Sequence, residues 1–545
     1  KELEHSHSLP KDYQTEVDLN TVNEQIKLLS KIKGMNLKVD NVGEKAVNSL
    51  DNRDNNSDSN SSREQNQKIT NHNATNKSED KNFYSTEDVR INSMSNSKVA
   101  LAYFEKVKSK SKGKIVDKLK AAAPYNFFLT SIAASKPTHT EQLSLQLFDI
   151  LDPSLGDLES SLQINFMVEY GFLMAQYHIA GQREKPMTVF YGECDNNKWH
   201  PHITAVKIKP PSPFGSHHTK MSIMSYTDGS VRIAVTTANL VEEDWENRTQ
   251  GVWLSPICPV LPLEHDTMAG DSPTGFKKDL VQYLSAYQKP ELTNWIHKVK
   301  KADCSSINVF FVASTPGTHK GTDYNNWGQG KLASVLRAHC TIPKDAADWS
   351  VIAQFSSIGT LGAQPSDWLC GELRTTMSNG CGTQLLNPPT MKLIYPSISN
   401  VENSHDGLLG GGCLPYSKRV DDKQPWLKNY LYQWKSEGRF RTKAVPHIKT
   451  YTRVSPENKH IAWFLLTSAN LSKAAWGKRN TTGGLGILSY EAGVLFIPKF
   501  INGGYTFPVT KEVDSKDIPV FPLPYDLPLL PYSSRDKPFL IDILC

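Results

Sequence analysis

The sequence predicts an α/β protein whose folded part consists of two similar halves behind a long polar N-terminal region. Three observations carry this expectation. From "YNFFLTSI" onward, short apolar segments alternate with helical stretches, the pattern of α/β domains. One spaced set of His, Lys and Asn occurs twice, more than two hundred residues apart. The first hundred residues hold too few apolar side chains to bury a core.

That polar region runs from Lys1 to about Ser97, as in "DNRDNNSDSNSSREQNQKITNHNATNKSEDKN", and reads as disordered. Its Asn-x-Ser/Thr triplets, such as Asn73-Ala-Thr75, follow from composition. "KVKSKSKGK", Lys106 to Lys114, fits a nuclear import signal or a non-specific phosphate contact, and equally a solvated charge run at a domain edge. Next, "MSIMSYTDGSVRIAVTTANL" reads as two strands joined at Asp228-Gly229, a strong hairpin signal. "KKDLVQYLSAYQKPELTNWIHKVKK" has helical periodicity and closes the first half near Lys301. "SSINVFFVAST" opens a second strand series, and "HIAWFLLTSANL" reads as one buried strand. The expected divisions are a polar, basic region at 1–120, a first domain at 121–302 and a second at 303–545.

Composition narrows the function classes only mildly. The net charge of +5 permits an anionic partner without requiring one. The eight cysteines are scattered, with neither C-x-x-C pairs nor zinc spacing, so a structural zinc is not expected and a reducing compartment fits better. No apolar run reaches about 18 residues, so a membrane span is not supported. The sequence begins at Lys1 rather than Met, which leaves a leader peptide an open question.

A single His-x-Lys triplet is expected by chance in a chain of this composition. Of 16 histidines, however, two begin such a triplet: His218-Thr-Lys220 and His447-Ile-Lys449. Each precedes strand-like sequence, then Thr237-Ala-Asn239-Leu240 or Ser468-Ala-Asn470-Leu471, then Trp245 or Trp476. The His-to-Asn separations are 21 and 23 residues, and Asn-to-Trp is six in both. Matched offsets of this kind indicate a divergent internal repeat. In a strand, residues i and i+2 share a face, so each His projects beside its own Lys. His217 would point the opposite way, which favours His218. Two such halves packed about a pseudo-twofold would gather two His, two Lys and two Asn around one tetrahedral anion. One imidazole can attack phosphorus while the other protonates the leaving oxygen, and the lysines supply positive charge without a metal. Trp245 and Trp476 fit core packing better.

A duplicated His-x-Lys with a downstream Asn resembles the phospholipase D superfamily. Most of that superfamily has an Asp where this chain has Ser225 and Val454. The form without it resembles the tyrosyl-DNA phosphodiesterase family. "PFGSHHTKMSIMSY", "TTANLVEEDW", "RTQGVWLSP", "QFSSIGTLGA", "PHIKTYTR", "WFLLTSANLSKAAWG", "SYEAGVLFIP" and "FPLPYDLP" all look like segments of that family, in order, from about Tyr125 to Pro538.

The resemblance implies two α-β-α sandwich domains related by a pseudo-twofold. It implies a metal-independent DNA-repair phosphodiesterase that removes tyrosyl peptides of stalled topoisomerase I, and other adducts, from DNA 3′ ends. The reaction would pass through a phosphohistidine and leave a 3′-phosphate. His218 would be the nucleophile, and His447 the general acid and then the base. Lys220, Lys449, Asn239 and Asn470 would hold the phosphoryl oxygens, with Gln250 and Glu491 orienting the histidines. Glu491 by itself reads rather as a strand-end carboxylate.

The resemblance places the DNA backbone against Ser356, Ser357 and Thr360, with Ser472 and Lys473 extending the contact and Phe214 and Tyr177 beside the scissile end. On sequence alone the "QFSSIGT" hydroxyls read as loop residues capping a helix. Thr360 stands where the family has Ser. The family pattern continues beyond "SRDKPF" and "LIDILC", so any contact from that extension is expected to be missing.

The expected partners are single-stranded or nicked DNA 3′ ends, with repair proteins binding the N-terminal region. No cofactor, no metal and no membrane are expected, and the chain is expected to be a nuclear, also cytoplasmic, monomer. Two other readings are a phospholipid-hydrolysing relative, which predicts apolar surface around the site, and a catalytically idle scaffold.

Overall fold

The computed structural model describes residues 114–262, 269–342, 348–381, 387–511 and 518–544. The polar N-terminal region and residues 106–113 of the basic run lie outside them.

The first half forms an eight-stranded sheet from β1 (Phe127–Thr130), β2 (Ser144–Leu145), β3 (Leu158–Val168), β4 (Met187–Cys194), β5 (Ile203–Lys207), β6 (Met221–Tyr226), β7 (Val231–Thr236) and β8 (Gly251–Leu254). Its order is β2-β1-β8-β7-β6-β3-β4-β5. The second half begins with β9 (Phe310–Ser314) and β10 (Gly317–His319), followed by β11 (Ser350–Gln354), β12 (Met391–Ile394) and β13 (Leu431–Tyr432). It continues with β14 (Thr450–Val454), β15 (His460–Thr467), β16 (Lys478–Arg479), β17 (Leu485–Ile487), β18 (Glu491–Phe496) and β19 (Phe507–Pro508). Its main sheet runs β13-β12-β11-β14-β15-β18-β9, with β19 on β15, while β10, β17 and β16 form a small separate sheet.

The two large sheets share a pairing scheme. β3, β4 and β5 are parallel, as are β11, β12 and β13. From β3, the antiparallel series β6, β7, β8, β1 corresponds to β14, β15, β18, β9 running from β11. Every residue of β6 and of β14 is buried, which explains why these strands read as runs rather than as alternating patterns.

Local chemistry accounts for the connections. The β6–β7 hairpin turns at Asp228-Gly229, where Gly229 takes φ +81° and the Asp228 carboxylate accepts from Ser230 N at 2.9 Å. The segment with continuous helical periodicity is two helices, Phe276–Ala286 and Thr293–Lys301. The break is a single turn, Pro290–Leu292, because proline has no N–H for the preceding helix and fits the first turn of a new one. One apolar core joins the halves, with Phe127, Ile233 and Trp253 from the first sheet, Phe464 and Val494 from the second, and Ile448 just ahead of β14. At its centre Gly251 faces Leu466 and Ile448. A Cβ there would lie 2.5 Å from a Leu466 methyl, so the missing side chain allows the two sheets to meet. Among the described residues no helix is long and apolar enough to cross a membrane.

Candidate active site

Both His-x-Lys triplets sit in extended residues just ahead of β6 and β14, not within the strands themselves. The reason is that each is paired with the other half. His218 N donates to Tyr490 O at 3.0 Å, and Tyr490 N to Ser216 O at 2.9 Å. His447 N and Ile448 N both donate to Thr249 O, at 3.0 and 2.9 Å. Thr249 and Tyr490 each immediately precede the residue that meets the paired histidine, Gln250 or Glu491.

The alternation of faces survives this shift. His217 and Thr219 point inward to a buried tyrosine pair, His217 Nε2 lying 2.9 Å from Tyr287 Oη and Thr219 meeting Tyr283. His218 and Lys220 therefore share the opposite face. Lys220 Nζ donates to His218 O at 2.9 Å, and Lys449 Nζ repeats the contact with His447 O.

Each histidine is oriented from across the interface. Glu491 Oε2, at the start of β18, accepts from His218 Nδ1 at 2.9 Å and from the Ser468 hydroxyl. Gln250 presents its amide to His447 Nδ1, with Nε2 at 3.0 Å and Oε1 at 3.3 Å, and its Oε1 accepts from Thr237 Oγ1 at 2.7 Å. Thr237 and Ser468 hold equivalent places two residues before Asn239 and Asn470. Both Asn side chains are locked by their carbonyl oxygen: Asn470 Oδ1 accepts from Ser356 N and Ser357 N at 3.1 Å, and Asn239 Oδ1 from Met167 N at 3.4 Å. That anchoring fixes the orientation of the amide and leaves each NH₂ as the donor end. The histidines remain slightly open, with side-chain exposures of 12% and 8%.

Electrostatics follow from packing two lysines and two imidazoles together. Burial lowers the His218 pKa, opposed by the Glu491 carboxylate. Burial lowers His447 much further, helped by Lys449, Lys220, His218 and Arg248. Lys220 falls to about 8 through burial, resisted by Glu491 and Asp244. Burial and the neighbouring Lys220 take Lys449 well below the ordinary range. A phosphodiester anion arriving between them would oppose these penalties, since opposite charge favours the protonated lysines. Among the described residues no group of three or more His, Cys, Asp or Glu side chains could hold a metal ion.

The structure brings His218, His447, Lys220, Lys449, Gln250 and Glu491 into one site, with Asn239 and Asn470 at its edges. The outer residues divide. Ser356 is turned inward, its hydroxyl 3.3 Å from Asn470 Oδ1, so it holds Asn470 instead of meeting a strand; Ser357 and Thr360 keep exposed surface. The motif caps no helix. It runs beside the second Asn segment through a parallel bridge between Ile358 and Leu471. Ser472 is itself the N-cap of the helix Lys473–Trp476, accepting from Ala475 N at 3.1 Å. Lys473 is half-buried beside it. Phe214 is 79% exposed on the loop leading to His218.

Tyr177 is a correction. It is 1% exposed, with its hydroxyl bonded to Ser161 and Gln163, so it offers no ring face to a base. It lies on a helix packed on the first sheet, where an aromatic serves the core. Trp245 and Trp476 are core residues as expected, and Trp245 Nε1 also holds Asn239 O at 2.9 Å.

Two site residues escaped the sequence reading. Phe166, at the end of β3, has its ring centroid 5.7 Å from that of His218 and 5.4 Å from Lys220 Nζ, a cation–π distance. Asp244 lies with Oδ2 3.4 Å from His447 Nδ1. It stands in "VEEDW", where an acidic run reads simply as the first turn of a helix.

Comparison with known proteins agrees with this geometry. The tyrosyl-DNA phosphodiesterase family model matches residues 126–533. The chain is 50% identical over 446 residues to tyrosyl-DNA phosphodiesterase 1 of Drosophila melanogaster, covering 79% of this chain and 76% of that protein. It is 35% identical over 413 residues to a probable tyrosyl-DNA phosphodiesterase of Caenorhabditis elegans, covering 72% and 84%. The crystal structure of the yeast tyrosyl-DNA phosphodiesterase superposes with a TM-score of 0.58 at 22% identity, over 76% of this chain and 99% of that one, and so shares the fold. With the paired histidine site intact and the family pattern spanning most of its length, the chain belongs to the tyrosyl-DNA phosphodiesterase family.

Proposed function

We infer that this chain hydrolyses the phosphodiester between a tyrosine side chain and a DNA 3′ end, and related 3′ adducts, in DNA repair. The observation that carries the reading is the crossed pair of histidines, His218 held by Glu491 and His447 by Gln250, each from the opposite half.

His218, neutral because burial keeps its pKa low, attacks phosphorus through Nε2 while Nδ1–H stays on Glu491. The bond from phosphorus to the tyrosyl oxygen breaks, and His447 Nε2 gives that oxygen its proton. Lys220 and Lys449, with the Asn239 and Asn470 amides, balance charge on the phosphoryl oxygens. In the second step His447 takes a proton from water, whose oxygen attacks the phosphohistidine. The N–P bond breaks, His218 is restored and a 3′-phosphate leaves. The lysines fill the role of a divalent ion, so the cycle runs without metal.

Single-stranded or nicked ends suit a site reached by Ser357, Thr360, Lys473 and the exposed Phe214, which offers a face for base stacking. The shared pairing scheme of the sheets supports a duplicated domain, divided near residue 302. Action as a monomer in the nucleus, with repair proteins bound through the N-terminal region, completes the reading; the basic run at residues 106–114 supports the nuclear part.

Incubating the protein with a 3′-phosphotyrosyl oligonucleotide in EDTA should release free tyrosine and a 3′-phosphate. Absence of product, or dependence on added Mg²⁺, would sink the proposal.

A further inference from the structure

Gln250 and Glu491 hold equivalent places, yet they differ in charge. His218 has a carboxylate at Nδ1, whereas His447 has a neutral amide. The shortfall falls on the histidine that must carry a proton to the leaving group.

The repeat contains a second asymmetry that offsets the first. Five residues after Asn239 stands Asp244, and five after Asn470 stands Ala475. Each histidine therefore has one carboxylate, from different places in the repeat. Asp244 belongs to the helix Glu242–Glu246 and is 4% exposed. Its Oδ2 accepts from Asn239 N at 2.6 Å and lies 3.4 Å from His447 Nδ1. Trp245, its neighbour, pins the same segment through Asn239 O.

We propose that Asp244 is a positioning residue for His447, its carboxylate, 3.4 Å from Nδ1, balancing the imidazolium from which Nε2 donates the proton. This rests on the acid role given to His447 above. The other charged groups around His447 are Lys449, Lys220, His218 and Arg248, all of which oppose its protonation. The Arg248 guanidinium is itself engaged by Asp406 and Glu243, Cys413 stands near Asp244 and Lys449, and Glu491 serves His218. Burial raises the Asp244 pKa, opposed by the Asn239 N–H and by Lys449, Lys220 and Arg248. In the first step the Nε2 proton of the His447 imidazolium passes to the tyrosyl oxygen as the P–O bond breaks. In the second step water returns it.

The test uses the full chain with two oligonucleotides, one ending in 3′-phosphotyrosine and one in a 3′-(4-nitrophenyl) phosphate, whose leaving group departs without a proton. Formation of the covalent intermediate is followed in single turnover. Asp244→Asn should slow the phosphotyrosyl substrate by about 100-fold while leaving the nitrophenyl substrate within a few-fold of wild type. The alkaline limb of the phosphotyrosyl profile should move down by about one pH unit, and Asp244→Glu should recover part of the loss. Equal slowing of both substrates, or no slowing of either, would overturn the proposal. Failure of the wild-type protein to cleave either substrate would count instead against the activity itself.

Discussion

At the scale of single residues, side chains behind the two histidines set their charge and orientation. Glu491 holds His218 at 2.9 Å and raises a pKa that burial lowers. The nucleophile must be neutral, so activity is present above the His218 pKa and lost as pH falls through it. Removing the carboxylate leaves the lowering by burial and the lysines unopposed. For Glu491→Gln the acid limb of kcat/KM should therefore move to lower pH by about one unit, with a reduced plateau because the developing phosphoimidazolium loses its counter-charge. A limb that moved to higher pH would show that Glu491 does not act through His218. The His, Lys and Asn sets were legible from spacing alone, and Gln250 and Glu491 from the family resemblance. Asp244 and Phe166 were not, because an acid in a helix's first turn and an aromatic at a strand end are ordinary in sequence. They acquire meaning only through the 3.4 Å and 5.4 Å contacts that folding creates. Tyr177, placed by the family resemblance, differs because its helix turns that ring into the core of the first half.

At the scale of elements, the hairpin at Asp228-Gly229 and the single strand β15 appear where turn chemistry and apolar runs put them. The long helical segment divided at Pro290, a break that periodicity alone does not report. The His-x-Lys triplets fell ahead of their strands because Thr249 and Tyr490 of the opposite half take up their backbone groups. No pattern within one half could reveal that pairing. The contact between the sheets is set by Gly251, next to Gln250, whose absent side chain leaves room for Leu466 and Ile448. Gly251→Val should force the sheets apart, costing about 1–3 kcal/mol in urea unfolding and shifting Gln250 from His447. Stability should fall together with kcat. Unchanged stability and turnover would show that the sheets do not meet as closely as Gly251 implies.

At the scale of the whole molecule, the sequence repeat anticipated two similar halves facing one another, and the matched order of the two large sheets agrees with it. What the repeat could not convey is that neither half contains a complete histidine site. His218 needs Glu491, 273 residues away, and His447 needs Gln250, 197 residues away. Arg441 adds a further tie, its buried guanidinium donating to Thr130 O at 2.9 Å and to Glu141 at 2.6 Å in the first half. Crossing the partners gives the two histidines different surroundings, a carboxylate from Glu491 for His218 and an amide from Gln250 for His447. His218 is expected to become covalently phosphorylated and His447 to release the phosphoryl group. Trapping with a 3′-phosphotyrosyl oligonucleotide and locating the adduct by mass spectrometry tests this directly. His447→Ala should accumulate a DNA adduct on His218, and His218→Ala should accumulate none. Equal adduct in both variants, or an adduct on any other residue, would contradict the assignment.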